Sequence, residues 1–183
     1  MKRFVAIAAV FAGFSLMSAM PVFAQEDPPK SGCESFTWDV SHELAVLEGP
    51  SKSLTASADA KKPVRIELDQ RYTVKLMPLA SVRFVAKPGK STLESGEQAG
   101  MLSFHTQKAG RYRISLTTGH WFEVVDNGNF VVSREFQGQR GCEKVHKIVE
   151  FELSGNKDFV LQLSGATESS LSIAVTQVKP GQP

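Results

Sequence analysis

The chain has 183 residues, of which 21 are Lys or Arg, 19 are Asp or Glu and 42% are hydrophobic. Its charges are scattered and nearly balanced, which excludes the protein classes that depend on concentrated basic charge, a nucleic-acid groove or a polybasic membrane patch. Its length suits one domain with a proper core and is too short for two comfortable domains.

The first 24 residues have the pattern of a secretory signal. Lys2 and Arg3 form a short basic head, an apolar run covers 4–20, and small residues precede an expected cleavage after Ala24. The apolar run is too short for a membrane span, and no later stretch approaches the ~20 apolar residues that a span needs. We therefore expect an exported, soluble protein that is periplasmic or secreted.

The remaining chain divides into three segments by composition. Residues 25–32 offer no apolar side chain to bury beyond two prolines, so we expect this stretch to be disordered. Residues 33–178 are expected to form a single folded domain, followed by a frayed tail at 179–183.

Two cysteines, Cys33 and Cys142, are present in the whole chain. An even cysteine count in an exported protein favours a disulfide over two free thiols. The bridge would close a loop of about 110 residues, which contributes roughly 4 to 5 kcal/mol in the chain-entropy model. Cys33 also lies too far beyond the cleavage point to be a lipidated first residue.

A short helix is predicted just after Cys33. Val40, Leu44 and Leu47 recur at helical spacing, and Gly49-Pro50 ends the run. Phe36 and Trp38 precede this helix and are expected to seal one end of the fold. The polar stretch 51–62 that follows is predicted to be a connector.

The rest of the chain is a succession of short alternating apolar and polar stretches, typical of β-strands. The predicted strands are 64–68, 72–76, 82–84, 102–104, 111–117, 121–125, 130–134, 149–153, 159–163 and 171–175. No helical run is long enough to cross between parallel strands. We therefore predict an all-β fold, an antiparallel β-sandwich of about ten strands with one short N-terminal helix, resembling a jelly roll or the small β-domains appended to secreted peptidases.

The clearest turn is Asn127-Gly128, which suits a type I′ hairpin. A two-residue turn there places Val125 opposite Phe130 and Trp121 opposite Arg134. Both faces of this hairpin carry apolar side chains, which indicates a central hairpin or one whose outer face is covered by a loop.

The same hairpin provides the candidate binding residues Trp121, Glu123 and Arg134. An arginine opposite a tryptophan can stack on the indole and pair with a neighbouring carboxylate. This arrangement is consistent with a structural cross-strand pair at the sheet margin, and also with a platform that faces a ligand.

Candidate catalytic groups are few. Glu150 and Glu152 lie two apart on one strand and are expected on its solvent face, while the chain lacks a Gly-x-Ser-x-Gly motif. Imidazoles with a carboxylate could form an iron or zinc site, and the candidate ligands are His105, His120 and His146. The simpler interpretation is that these histidines, together with His42, are scattered at the surface.

Several motifs together resemble a family of small exported proteobacterial proteins of unassigned function. They are Cys33 with Phe36-x-Trp38-x-Val40-x-x-Glu43-Leu44, Tyr72-x-Val74-x-Leu76, Ser81-Val82-x-Phe84, Pro88-Gly89-Lys90, Gly110-Arg111-Tyr112-Arg113, Trp121 with Asn127-Gly128, and Cys142 with Lys147-x-Val149-x-Phe151-Glu152-Leu153. Some members carry the name homogentisate 1,2-dioxygenase, so the resemblance implies non-haem iron chemistry as one expectation.

Two functional hypotheses follow from these patterns. The leading one is an exported, non-catalytic β-sandwich without a cofactor that binds a protein, a glycan or a small ligand. The alternative is a metal-dependent dioxygenase or hydrolase with histidine and glutamate ligands. Dioxygenases that act on homogentisate are similar to much larger cytosolic cupin enzymes that hold iron with two histidines and a glutamate. This sequence does not show such a cluster of histidines with a glutamate.

Overall fold

The structure, a computed structural model, describes residues 32–90, 94–139 and 141–179. The predicted signal at 1–24, nearly all of the segment 25–32 and all but the first residue of the predicted tail lie outside the described residues. Within the described ranges, no helix combines the length and the apolar character that crossing a membrane requires.

The described chain forms one α-helix, two short 3-10 helices at Gly32–Ser35 and Leu79–Ser81, and twelve strands. The elements are α1 Ser41–Glu48, β1 Ser51–Thr55, β2 Val64–Arg65, β3 Arg71–Lys75, β4 Met77–Pro78, β5 Gln98–Thr106, β6 Gly110–Leu116, β7 Trp121–Asp126, β8 Asn129–Phe130, β9 Ser133–Gly138, β10 Lys147–Leu153, β11 Lys157–Ala166 and β12 Ser170–Gln177. The predicted short helix is confirmed.

The strands form two sheets. Sheet A has the order β1-β3-β12-β6-β10-β9, and sheet B has the order β2-β5-β11-β7-β8, with β4 also paired to β5. All pairings are antiparallel except β1 with β3 and β2 with β5 at the sheet edges, which are parallel. The predicted all-β sandwich is confirmed. The prediction of a purely antiparallel arrangement missed the two parallel pairings at the sheet edges.

The main core fills the space between the two sheets. Strand β6 shows why the chain folds this way: Tyr112, Ile114 and Leu116 alternate along it and are completely buried against residues of sheet B. Phe104 and Phe159 stack across β5 and β11 with ring centroids 5.8 Å apart. Burial of these apolar side chains is the dominant favourable contribution to folding.

A second, smaller core lies on the outer face of sheet A. Its buried residues are Phe36, Val40, Leu47, Cys142, Val145, Ile148 and Ala174. Phe36 therefore packs under α1 against the face of sheet A, and the prediction that it seals one end of the sandwich is wrong. Sheet A is consequently buried on both faces beneath α1, although antiparallel sheets commonly leave one face solvated.

The disulfide between Cys33 and Cys142 is confirmed, with a sequence separation of 109 residues. It joins the segment before α1 to the connection between β9 and β10. Gln139 Nε2 also donates to the carbonyl oxygen of Ser35, at 3.1 Å. These links hold the N-terminal segment on sheet A beside the second core.

Two predicted elements are wrong. The stretch 51–62 contains strand β1, whose side chains are largely exposed because it lies at the edge of sheet A and has no buried face to impose alternation. The stretch 82–84 is not a strand. It follows the 3-10 helix at Leu79–Ser81 and makes a single β-bridge, between Asp59 and Arg83.

The hairpin turn at Asn127-Gly128 is confirmed, with φ values of 48° and 81°, and Val125 pairs with Phe130 as predicted. The predicted pairing of Trp121 with Arg134 is wrong, because β8 ends at Phe130 and β9 pairs with β10 in the other sheet. Between these strands, Val131 packs on the main core while the chain passes from sheet B to sheet A.

Candidate binding surface

Trp121 lies on the outer face of sheet B. Phe122 and Val124 of β7 enter the main core, so the alternating side chains of Trp121 and Glu123 are turned outward. Trp121 is 46% exposed and Phe130 on the neighbouring strand is 41% exposed. We call the surface formed by Trp121, Glu123 and Phe130 the aromatic face.

Glu123 is the polar centre of the aromatic face. Its Oε1 accepts hydrogen bonds from Nε1 of Trp121 and from the backbone N–H of Gly89, both at 2.7 Å. Its Oε2 accepts a hydrogen bond from Nε2 of Gln162 at 2.9 Å. Hydrogen bonds to an ionised carboxylate are stronger than neutral ones, so this carboxylate fixes both the indole ring and the loop that carries Gly89.

The loop 84–90 is fastened to the outer face of sheet B. Gln162 on β11 makes two hydrogen bonds with the backbone of Ala86, accepting from its N–H at 3.3 Å and donating to its carbonyl at 3.0 Å. Nζ of Lys90 donates to Glu97 Oε1 at 2.8 Å and to the carbonyl of Gly165 at 3.1 Å. The hairpin is therefore covered by a loop, one of the two arrangements that the sequence predicted.

Gly89 lies where the loop crosses the aromatic face, and a larger residue there would be tightly packed. A Cβ at this position would lie 3.1 Å from Oε1 of Glu123 and 3.8 Å from Cε2 of Phe130. The loop therefore approaches both residues closely, between the carboxylate and the second ring. Neither Gln162 nor this loop was a candidate from the sequence, because a polar residue on a strand and a Gly-containing loop give no sign of which partner they meet.

Arg134 does not belong to the aromatic face. It lies on β9 of sheet A, where its Nε is 3.6 Å from Oε1 of Glu150 and its Nη1 is 3.5 Å from Oε2 of Glu152. The structure brings Trp121 and Glu123 together as predicted and places Arg134 on the other sheet. The roles of all three residues in binding remain predictions.

Glu150 is buried, which corrects the expectation that it lies on a solvent face beside Glu152. Its Oε2 accepts a hydrogen bond from Nε of Arg113 at 3.0 Å, and Arg113 is itself completely buried. Glu150 is enclosed by the guanidinium groups of Arg113, Arg111 and Arg134. Arg113 is in turn covered by Trp38, Asp39 and Glu43. Alternation along β6 and β10 identifies the face on which Glu150 lies, but it does not reveal which residues cover it.

Arg113 has partners on every side of its guanidinium. Its Nη1 donates to the carbonyl of Asp39 at 2.9 Å and lies 3.6 Å from Oε1 of Glu43 on α1. Its Cζ lies 4.6 Å from the centre of the Trp38 ring, a cation–π contact. Thr176 donates a hydrogen bond to the same Glu43 oxygen at 3.2 Å. We call Arg113, Glu43 and Glu150 the buried charge cluster.

The histidines proposed for a metal site are dispersed. His105 on β5 is 3.0 Å from Asp158, while His42 on α1 is 2.8 Å from Asp69. Within the described ranges, no group of three or more His, Cys, Asp or Glu side chains is arranged to hold a metal ion.

His120 is completely buried, and its Nδ1 lies 2.7 Å from Oγ1 of Thr118. Burial lowers the pKa of the imidazole below its usual value because it disfavours the charged form. His146 lies nearby, since a Cβ on Gly119 would be 3.8 Å from its Nε2. His120 is thus a neutral interior group at neutral pH.

Solved structures of other proteins are similar to part of this chain. No protein-family model matches the chain, and no curated protein matches it. The pre-peptidase C-terminal domain of collagenase from Bacillus anthracis is similar with a TM-score of 0.39 and 13% identity, over 70% of this chain and 98% of that domain. A β-glucosidase from Kluyveromyces marxianus is similar with a TM-score of 0.32 and 13% identity, over 45% of this chain and 11% of the enzyme.

The buried charge cluster yields a stability prediction. Replacing Glu150→Ala leaves the guanidinium of Arg113 buried without its main partner, so we expect the free energy of unfolding to fall by about 3 to 5 kcal/mol. The control is Glu48→Ala, which removes a half-exposed ion pair with Lys144 and should cost less than about 1 kcal/mol. Urea denaturation of both variants measures the difference, and similar small losses would contradict it.

Proposed function

We propose that this protein is an exported, non-catalytic binding module and that the aromatic face is its binding surface. The observation that carries the proposal is the position of Trp121, a large ring held half-exposed by its hydrogen bond to Glu123. A ring that is fixed before binding loses little conformational entropy when a partner docks on it. A ring needed only for the core would be buried instead.

The chemistry of the aromatic face favours a glycan. An aromatic ring offers an apolar surface on which the C–H face of a sugar ring can stack, and the surrounding polar atoms can meet its hydroxyl groups. Phe130 provides a second exposed ring on the other side of Gly89. The experiment below tests this preference for a glycan.

The arrangement of the carboxylates supports a non-catalytic role. Glu123 accepts hydrogen bonds from Trp121, Gly89 and Gln162, and Glu150 accepts one from Arg113. These oxygens therefore hold the fold together. A general acid or base must instead reach a proton of the substrate.

The aromatic face can be tested by substitution. A printed glycan array first identifies a bound glycan, and calorimetry with that glycan then compares variants. We expect Trp121→Ala to weaken binding by at least tenfold, about 1.4 kcal/mol, because the stacking surface is lost. The free energy of unfolding should fall by no more than about 3 kcal/mol, the upper value for one hydrogen bond to a charged group.

The control for this test is Phe136→Ala. Phe136 is 70% exposed but lies on β9, away from the aromatic face. Its loss should leave glycan affinity unchanged. Equal losses for both variants, or no retained glycan on the array, would contradict the proposal.

We also propose that the chain is exported to the periplasm or beyond and belongs with the small exported proteobacterial proteins that it resembles. The basic and apolar pattern of 1–24 supports export, as does the disulfide, since such bonds persist in oxidising compartments. Mass spectrometry of protein from the periplasmic fraction should find a chain that begins at Gln25 with Cys33 and Cys142 oxidised. An uncleaved chain with reduced thiols would contradict export.

A further inference from the structure

A cationic groove lies on sheet A, away from the aromatic face. It has a volume of about 730 Å³, within the range of ligand sites, and six of its lining residues are charged at neutral pH: Lys108, Arg111, Arg134, Lys179, Asp69 and Glu152. It forms where β6 begins, where β10 and β12 end, and beside α1. Four basic side chains against two acidic ones give the lining a net positive charge.

Two of the basic side chains, those of Arg111 and Arg134, contact a buried carboxylate. Arg111 Nη1 lies 3.5 Å from Oε1 of Glu150, the same buried oxygen that Arg134 approaches at 3.6 Å. Glu150 is already hydrogen-bonded to Arg113, so one carboxylate orients three guanidinium groups. The contacts of Arg134 are longer than hydrogen bonds, and a guanidinium has five N–H donors, so Arg134 retains donors for a ligand.

Lys108 lies in a tightly packed turn between β5 and β6. Its carbonyl accepts a hydrogen bond from the Tyr112 hydroxyl at 2.7 Å. A Cβ on Gly155 would lie 2.8 Å from the carbonyl carbon of Lys108, so that backbone packs against the turn without space for a side chain. Within the described ranges, the ammonium group of Lys108 has no carboxylate partner within ion-pair distance. The fold thus fixes the backbone of an unpaired cation at the groove.

The groove also contains hydrogen-bond acceptors next to its cations. Asp69 pairs with His42 at 2.8 Å, and the side chains of Glu152 and Gln177 line the same space. A simple anion would pair with the cations but would donate nothing to these carboxylates, which keep lone pairs beyond their contacts with His42 and Arg134. A ligand that carries both hydroxyl groups and negative charges would satisfy both sets.

We propose that the cationic groove binds an anionic glycan, a chain of sugar acids whose carboxylates pair with Lys108 and Arg134 and whose hydroxyls donate to Asp69 and Glu152. Arginine suits this role because its planar fork can bind a carboxylate through two parallel hydrogen bonds. This site is separate from the aromatic face, so the two proposals stand or fall independently.

The test uses the full exported protein and three probes in calorimetry: tetragalacturonate, the neutral β-1,4-galactotetraose and sodium sulfate. We expect tetragalacturonate to bind, and to bind at least tenfold more tightly than either of the others. Its affinity should fall at least tenfold in the Lys108→Gln/Arg134→Gln double variant and should also fall when NaCl is raised from 50 to 300 mM, because ionic screening weakens the contacts. Trp121→Ala should leave this affinity unchanged.

The matched control is Lys61→Gln/Lys62→Gln, which also removes two positive charges, but from an exposed stretch elsewhere. Its affinity for tetragalacturonate should equal that of the wild type. If Arg134→Gln alters the fold near Glu150, Lys108→Gln alone should still weaken binding several-fold. Equal loss in the control, equal binding of the neutral tetramer or of sulfate, or no binding of tetragalacturonate at 1 mM would each overturn the proposal.

Discussion

The structure depends on one buried guanidinium. Arg113 is 0% exposed, and removing such a charge from water costs several kcal/mol unless it is paired and hydrogen-bonded. Its partners come from three places: Glu150 on β10, Glu43 on α1, and the Asp39 carbonyl with the Trp38 ring from the segment before α1. Sheet A therefore requires α1 in this position, and the disulfide at Cys33 holds the same segment from its other end.

This covering explains where the two candidate surfaces lie. On sheet A, α1 covers the centre of the outer face, and the cationic groove forms at the margin where Arg111 and Arg134 reach the buried Glu150 carboxylate from outside. On sheet B a loop takes the place of a helix. The loop 84–90 is attached through Gln162 and Glu123 and leaves part of the Trp121 ring exposed.

The features that were predicted correctly are those set by residues close together in the chain or by residue type. Alternation along strands such as β6 and β12 predicted the sandwich, and the Asn127-Gly128 dipeptide predicted a hairpin with Val125 opposite Phe130. The even cysteine count, together with the predicted export signal, predicted the disulfide. The position of Arg134 could not be predicted, because the turn fixes only the nearest residue pairs. After Phe130, Val131 packs on the main core and the chain passes to the other sheet. Burial of Glu150 was missed because Trp38, Asp39 and Glu43, which cover its partner Arg113, are distant in sequence.

The central claim is that α1 and sheet A form one cooperative unit joined by the buried charge cluster. Native-state hydrogen exchange tests it most directly, since it measures the opening free energy of each amide. We expect the amide of Leu44 in α1, which donates to the Val40 carbonyl, to open with the same free energy as the amides of β6 and β12. A much lower opening free energy for the α1 amide, while the strands stay protected, would show that α1 opens independently of sheet A.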